Sequence, residues 1–455
     1  MKTFLLFLGS LFLAAAGSAQ EKPETGKITE HVTSIRNSEQ SYAVFLPSTY
    51  SEARSWPVVF AFDPGARGKI PVELMKDAAE RYGYIVLGSN NSHNGAWKIE
   101  SEAADAMLQD AQQRFNVDLK RIYFAGFSGG ARVASQLAQL CKCAAGVLLS
   151  GAGFSQHSSP QNETAFPVFS AAGLLDFNYP ELITLQDKLE QAGYPHWLRV
   201  FDGRHEWAPA AVMNEAFAWF RVQSMREKRE PRDEQFIAAE LSGAVAAAEK
   251  YIASRDALAA SRQYKQIVAT YHELADTTAF RAKAEELGKS KPVQAAIKSE
   301  RNMFEEQERL SGEILGALQA DDNSDTPRSE KDAKTLGQAR DLRRSADEEK
   351  KQERSVVFKR ALAGVFVGAI EAGGGALDKK EYRLAARYFS AAAEARPEAE
   401  WPLRQLAIAQ ALNRDQKASL ETLRRIKPSD VAEFQNWLAT EPAFQTLRER
   451  HELPL

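Results

Sequence analysis

Residues 123–138 read YFAGFSGGARVASQLA. The stretch opens as a strand and closes as a helix, with Gly126-Phe127-Ser128-Gly129-Gly130 between them. A Gly-x-Ser-x-Gly run at a strand-to-helix turn holds the serine on a strained backbone, with its hydroxyl raised for chemistry. Glycines at 126 and 130 suit so sharp a turn, because a Cβ at either would collide with the adjoining elements. Ser128 is therefore read as a candidate nucleophile.

Outward from this turn, residues 26–228 alternate short β-rich runs with amphipathic stretches. The strand candidates are ITEHVTSI, YAVFL, PVVFAF, YIVLG, RIYFAG, GVLLSG, PVFSAAG and HWLRVF. Helical patterns fall at Val72–Arg81, Ser101–Phe115, Ala131–Gln139, Pro180–Gln191 and Pro209–Met225. Early strands without helices, followed by strict alternation, predict an α/β fold with a mostly parallel sheet covered on both faces.

A serine hydroxyl needs a base, and the chain holds seven histidines. His31 precedes the core strands, His196 lies within the last strand, and His272 and His451 belong to a later helical part. His93 and His157 fall on loops and stay as weaker candidates. His205, in FDGRHEWAP, follows the last strand at the sheet edge where Ser128 is displayed, and is preferred. Asp176, in LLDFNYP, follows the preceding strand on the same edge and is the candidate acid; Asp202 is the alternative. The order serine, aspartate, histidine is that of the α/β-hydrolases. Oxyanion donors are expected from the Gly129 N–H and from the loop after PVVFAF. There Pro64 has no N–H, which leaves Gly65 or Ala66, with Gly65 favoured. Trp97, Phe127 and Trp207 are candidate substrate-binding walls, and Phe154, Phe177 and Tyr179 lie near in sequence.

Residues 26–228 resemble the esterase/depolymerase branch of the α/β-hydrolases, which includes polyhydroxybutyrate depolymerase-like, feruloyl esterase and dienelactone hydrolase-like enzymes. The resemblance is carried by RFNVDLKRIYFAGFSGGARVA, AAGLLDFNYP and DGRHEW. It implies Ser128 as nucleophile, Asp176 as acid and His205 as base, acting on a small-molecule or polymeric ester. No metal or organic cofactor is implied. Where many members begin the oxyanion loop with His-Gly, this chain has Asp63-Pro64. No insertion large enough to form a cap is visible, which predicts an open site.

The N-terminus, MKTFLLFLGSLFLAAAGSAQ, has a lysine, a short apolar run and a small-residue cleavage site. Residues 1–19 are read as a signal peptide, with no membrane span after its cleavage. A formal net charge of −3 offers no basic excess for phosphates, so nucleic acid is not an expected partner. The two cysteines, Cys141 and Cys143, diverge if both lie on a helix. They are read as small buried hydrophobes unless the helix ends there.

Beyond a charged linker at REKREPRDE the composition turns helical. Residues 229–320 read as a helical linker and repeat-like region. Residues 321–354 read as a charged connector, either a solvated helix or disordered, with disorder centred on Asn323–Pro327. Residues 355–455 resemble tetratricopeptide repeats. Gly373, Ala385, Phe389, Ala392 and Pro397 keep that spacing, and Ala407, Ser419 and Leu423 follow one period later. Such repeats imply a protein partner or self-association, so this half is expected to supply contacts rather than catalysis.

Overall fold

The computed structural model describes residues 23–155, 159–161, 165–319 and 328–453. The signal segment, His157 and the Asn323–Pro327 stretch lie outside the described residues.

Eight strands form one sheet: β1 (Ile28–Thr33), β2 (Ser41–Phe45), β3 (Trp56–Phe62), β4 (Ile85–Ser89), β5 (Val117–Phe127), β6 (Ala144–Ser150), β7 (Val168–Gly173) and β8 (His196–Phe201). Their order is β1-β2-β4-β3-β5-β6-β7-β8. The pairs β1–β2 and β2–β4 are antiparallel, and the remaining five are parallel. Every residue of β3, β6 and β7 is buried, which is why those runs read as continuous apolar segments rather than alternating ones.

Five helices accompany the sheet: α1 (Lys69–Tyr82), α2 (Trp97–Arg114), α3 (Gly129–Cys141), α4 (Tyr179–Gln191) and α5 (Ala210–Arg226). Met75 and Val72 of α1 pack with Phe217 and Phe220 of α5 on one face. Met107 of α2, Val133 of α3 and Leu182 of α4 pack on the other. This is the α/β-hydrolase architecture. It sets the carboxyl end of the central strand β5, and so Ser128, at the carboxyl edge of the sheet.

The described residues beyond α5 are helical: α6 (Glu234–Ala253), α7 (Ala257–Tyr271), α8 (Thr278–Lys289), α9 (Lys291–Gln319), α10 (Arg328–Glu348), α11 (Gln352–Asp378), α12 (Tyr382–Ala395), α13 (Glu400–Leu412), α14 (Gln416–Arg425), α15 (Val431–Thr440) and α16 (Gln445–Glu449). Close approach governs the packing at Gly373, where an added Cβ would fall 2.9 Å from the Phe389 ring of the next helix. Ser419 Oγ donates to the Ala407 carbonyl at 2.9 Å, joining α14 to α13.

Two expectations are corrected. Cys141 and Cys143 form a disulfide. Helix α3 ends at Cys141, and Lys142 adopts a left-handed φ of 52°, which turns the chain so that Cys143 faces back. Within the segment read as a connector, residues 328–348 form a packed helix. Thr335, Ala339, Leu342 and Ala346 are buried, and the Arg328 guanidinium donates to the Ala317 and Leu318 carbonyls at the end of α9. Small residues and one buried arginine make this thin interface, so no large apolar run marks it in the sequence.

Candidate active site

Ser128 stands between β5 and α3 with φ 52° and ψ −121°, a backbone conformation that non-glycine residues seldom adopt. Its N–H donates to the Ser150 carbonyl of β6 at 2.9 Å. Around it, a Cβ at Gly126 would lie 2.0 Å from the Gly130 carbonyl oxygen, and one at Gly130 2.0 Å from that of Phe62. The glycines therefore let β3, β5 and α3 converge, and that convergence holds the turn in its strained form.

Three side chains meet at the sheet edge. Ser128 Oγ lies 2.9 Å from His205 Nε2, and His205 Nδ1 lies 2.9 Å from Asp176 Oδ1. An ionised carboxylate only accepts, so Asp176 fixes the imidazole tautomer with its proton on Nδ1, leaving Nε2 free to accept from Ser128. Asp176 is fully buried, and its Oδ1 also accepts the Asn178 N–H at 2.8 Å. Asp176 Oδ2 has no hydrogen-bond partner among the described residues. Adjacent turns hold the loops together: Leu174 and Leu175 donate to the Phe201 and Gly203 carbonyls, and Ala208 N–H donates to Ser150 Oγ. Asp202 is exposed, and His93 is exposed with Nδ1 at 3.0 Å from the Asn94 carbonyl.

The His205 ring packs against both Phe127 and Phe177, with centroids at 4.7 and 4.4 Å. Trp207 differs from its expected place as a substrate wall. Its indole is buried in the core between the sheet and α5, and Nε1 donates to Asp63 Oδ2 at 2.8 Å. Trp97 begins α2 and packs, partly buried, on the opposite core.

The oxyanion expectation is corrected at one position. Gly129 opens α3, so its N–H stands outside the helical ladder. The Gly65 N–H, in contrast, donates to Asp63 Oδ1 at 2.9 Å, and the Ala66 N–H to the Asp63 carbonyl at 3.1 Å. Asp63 is fully buried and draws these donors inward, together with Arg67 at 2.7 Å. The side chain lying against Gly129 is that of Asn94: a Cβ at Gly129 would fall 1.8 Å from Asn94 Oδ1. Asn94 N–H donates to the Pro64 carbonyl at 3.0 Å, tying this segment to the same loop. Sequence reasoning missed Asn94, because it follows β4 rather than β3 and belongs to no motif.

The site is also flanked, contrary to the open edge expected. Gln307 of α9 and Arg360 of α11 donate to the Phe177 and Leu174 carbonyls at 2.8 and 2.7 Å. Glu371 of α11 has its carboxyl pushed above the usual range by burial, an effect that nearby His205 and Arg132 partly offset. The flanking helices come from residues far beyond the sheet, so no insertion within it announces them.

No protein-family model matches the chain, and no curated protein matches it. Among solved structures, a ferulic acid esterase is 18% identical with a TM-score of 0.37, over 43% of this chain and 97% of its own. The S-formylglutathione hydrolase of Staphylococcus aureus is 14% identical with a TM-score of 0.34, over 44% and 97%. An esterase of Pyrobaculum calidifontis is 12% identical with a TM-score of 0.36, over 46% and 87%. These likenesses do not reach the chemistry of Ser128, which depends on the neighbours described above. What the chain's own strand order gives is an α/β-hydrolase sheet followed by an all-helical region.

Proposed function

We propose that this chain is an exported serine hydrolase that cleaves carboxylic esters through an acyl-enzyme on Ser128. The observation that carries the reading is the continuous hydrogen-bonded line from Ser128 Oγ through His205 to buried Asp176. As Oγ bonds to the ester carbonyl carbon, His205 Nε2 takes the hydroxyl proton and Asp176 stabilises the imidazolium. Collapse of the tetrahedral intermediate breaks the carbon–alkoxy bond, and His205 returns the proton to the departing alcohol. Water then repeats the sequence on the acyl-enzyme and releases the acid. The Gly129 N–H and the Asn94 carboxamide are the proposed donors to the oxyanion. Phe127 and Phe177 both pack on the imidazole and support its position.

Export rests on the reading of residues 1–19, and the Cys141–Cys143 disulfide supports an oxidising compartment. The helical repeats are proposed to offer a protein-contact surface as well. A rival reading, a hydrolase fold that serves only for binding, draws on the commitment of the Gly65 N–H to Asp63.

A fluorophosphonate probe and a panel of short acyl, aryl and polymeric esters separate the two. Covalent labelling together with ester turnover, both lost in Ser128→Ala, is the expected result. Intact labelling in Ser128→Ala, or turnover within tenfold of the unaltered chain, would sink the assignment.

A further inference from the structure

The turn that carries Asp176 is gripped from outside the sheet. The two carbonyls that accept from Arg360 Nε and Gln307 Nε2, those of Leu174 and Phe177, lie two residues before Asp176 and one after it. The Arg360 guanidinium also lies 3.7 Å from the centre of the Tyr179 ring, which meets Phe304 of α9 at 6.1 Å between centroids. One turn farther along α11, a Cβ added at Gly364 would sit 3.6 Å from Phe177 Cβ. Two long helices thus hold one short loop at three successive points.

The charges explain why an arginine is tolerated there. Arg360 is only 4% exposed, and an arginine so buried needs compensation. It has a carbonyl, a ring face, and the negative charges of Glu300 and Asp176. Asp176 is in turn a buried carboxylate whose Oδ2 has no hydrogen-bond partner among the described residues. A nearby cation answers its charge without touching the oxygen.

We propose that Arg360 and Gln307 are positioning residues for Asp176. The helical region holds the acid in line with His205 by gripping the turn on both sides of it. This inference rests on the triad reading, and it makes the two halves of the chain one catalytic unit.

The test compares the full-length chain with Arg360→Met, Arg360→Lys and Gln307→Leu on a neutral short-chain ester. It measures kcat, KM and the denaturant midpoint. Misplacing the acid by about 1 Å is expected to lower kcat roughly 100-fold in Arg360→Met, with KM changing far less. Arg360→Lys keeps the charge without the planar fork and is expected to restore kcat only in part. Gln307→Leu is expected to lower kcat with KM changing far less.

A fall in the denaturant midpoint, with kcat as in the unaltered chain, overturns the proposal and leaves the contacts as simple glue. If Arg360→Met does not fold, the same criterion applies to Arg360→Lys and Gln307→Leu. Absence of both turnover and probe labelling in the unaltered chain would instead overturn the triad reading, and this inference with it.

Discussion

Asp63 shows how one residue organises a loop beside the candidate site. Buried at the end of β3, it accepts from the Gly65 N–H, the Arg67 guanidinium and the Trp207 indole. The loop backbone is thereby turned toward its own carboxylate, and Trp207 is drawn into the core. The polar side chain left against Gly129 is Asn94. If its carboxamide stabilises the oxyanion, Asn94→Ala should lower kcat about 100-fold with little change in KM. Steady-state kinetics on a short ester would check this, and a loss confined to KM would assign Asn94 to substrate binding instead. His205 and Asp176 were legible in the sequence because each directly follows a strand on the edge that displays Ser128. Asn94 was not, because only the approach of the β4 loop to the β3 loop brings it there.

Among the elements, β8 is the informative one. It is the last strand of the sheet, and an uncovered edge would invite pairing with another chain. Here α7 lies against it: Gln266 Nε2 donates to the Leu198 carbonyl at 3.4 Å. A cavity of about 400 Å³ lies between α4, β8, α7 and α9, lined by His196 and Lys265 among others. Burial pushes the His196 imidazole below its ordinary value of 6.5, opposed by the Tyr194 carbonyl, Glu190 and Asp187. A histidine with a depressed folded pKa adds stability that is present above the unfolded value and lost as pH falls through the folded one. Denaturant midpoints at about pH 7 and about pH 5 should therefore differ less in His196→Gln than in the unaltered chain. An equal loss in both would assign the acid sensitivity to other groups. The apolar alternation around HWLRVF made β8 readable as a strand, but nothing in that stretch marked which helix would cover it.

At the scale of the whole molecule, the two halves share a core. Val222 and Met225 of α5 pack with Ile237, Tyr264 and Ile267 of α6 and α7. The Trp219 indole donates to Thr270 Oγ1 at 3.1 Å, and Arg229, in the segment read as a linker, donates to the Lys120 carbonyl at 2.6 Å. Charged residues around Pro231 look like a flexible joint in sequence, yet Glu230 pairs with Arg121 and Arg221, and Arg221 also reaches Asp233 beyond the proline. A chain ending at Lys228 would expose β8 and the apolar side of α5, and would free the turn around Asp176. Such a fragment is expected to aggregate or to lose ester turnover; measured solubility and kcat at full-length levels would show instead that the sheet half stands alone.

Local chemistry was fixed by the sequence itself. Gly126 and Gly130 dictate the turn, continuous apolar runs dictate buried parallel strands, and the placing of Ser128, Asp176 and His205 after parallel strands β5, β7 and β8 dictates their shared edge. These features act over a few residues, so their pattern survives in one dimension. Tertiary structure alone decided that Asp63 takes the Trp207 indole, that Asn94 lies against Gly129, and that Arg360 and Gln307 grip the turn of Asp176. Each of those contacts joins residues whose separation along the chain is unrelated to any helical or strand period, and only close packing of distant elements brings them within a few ångströms.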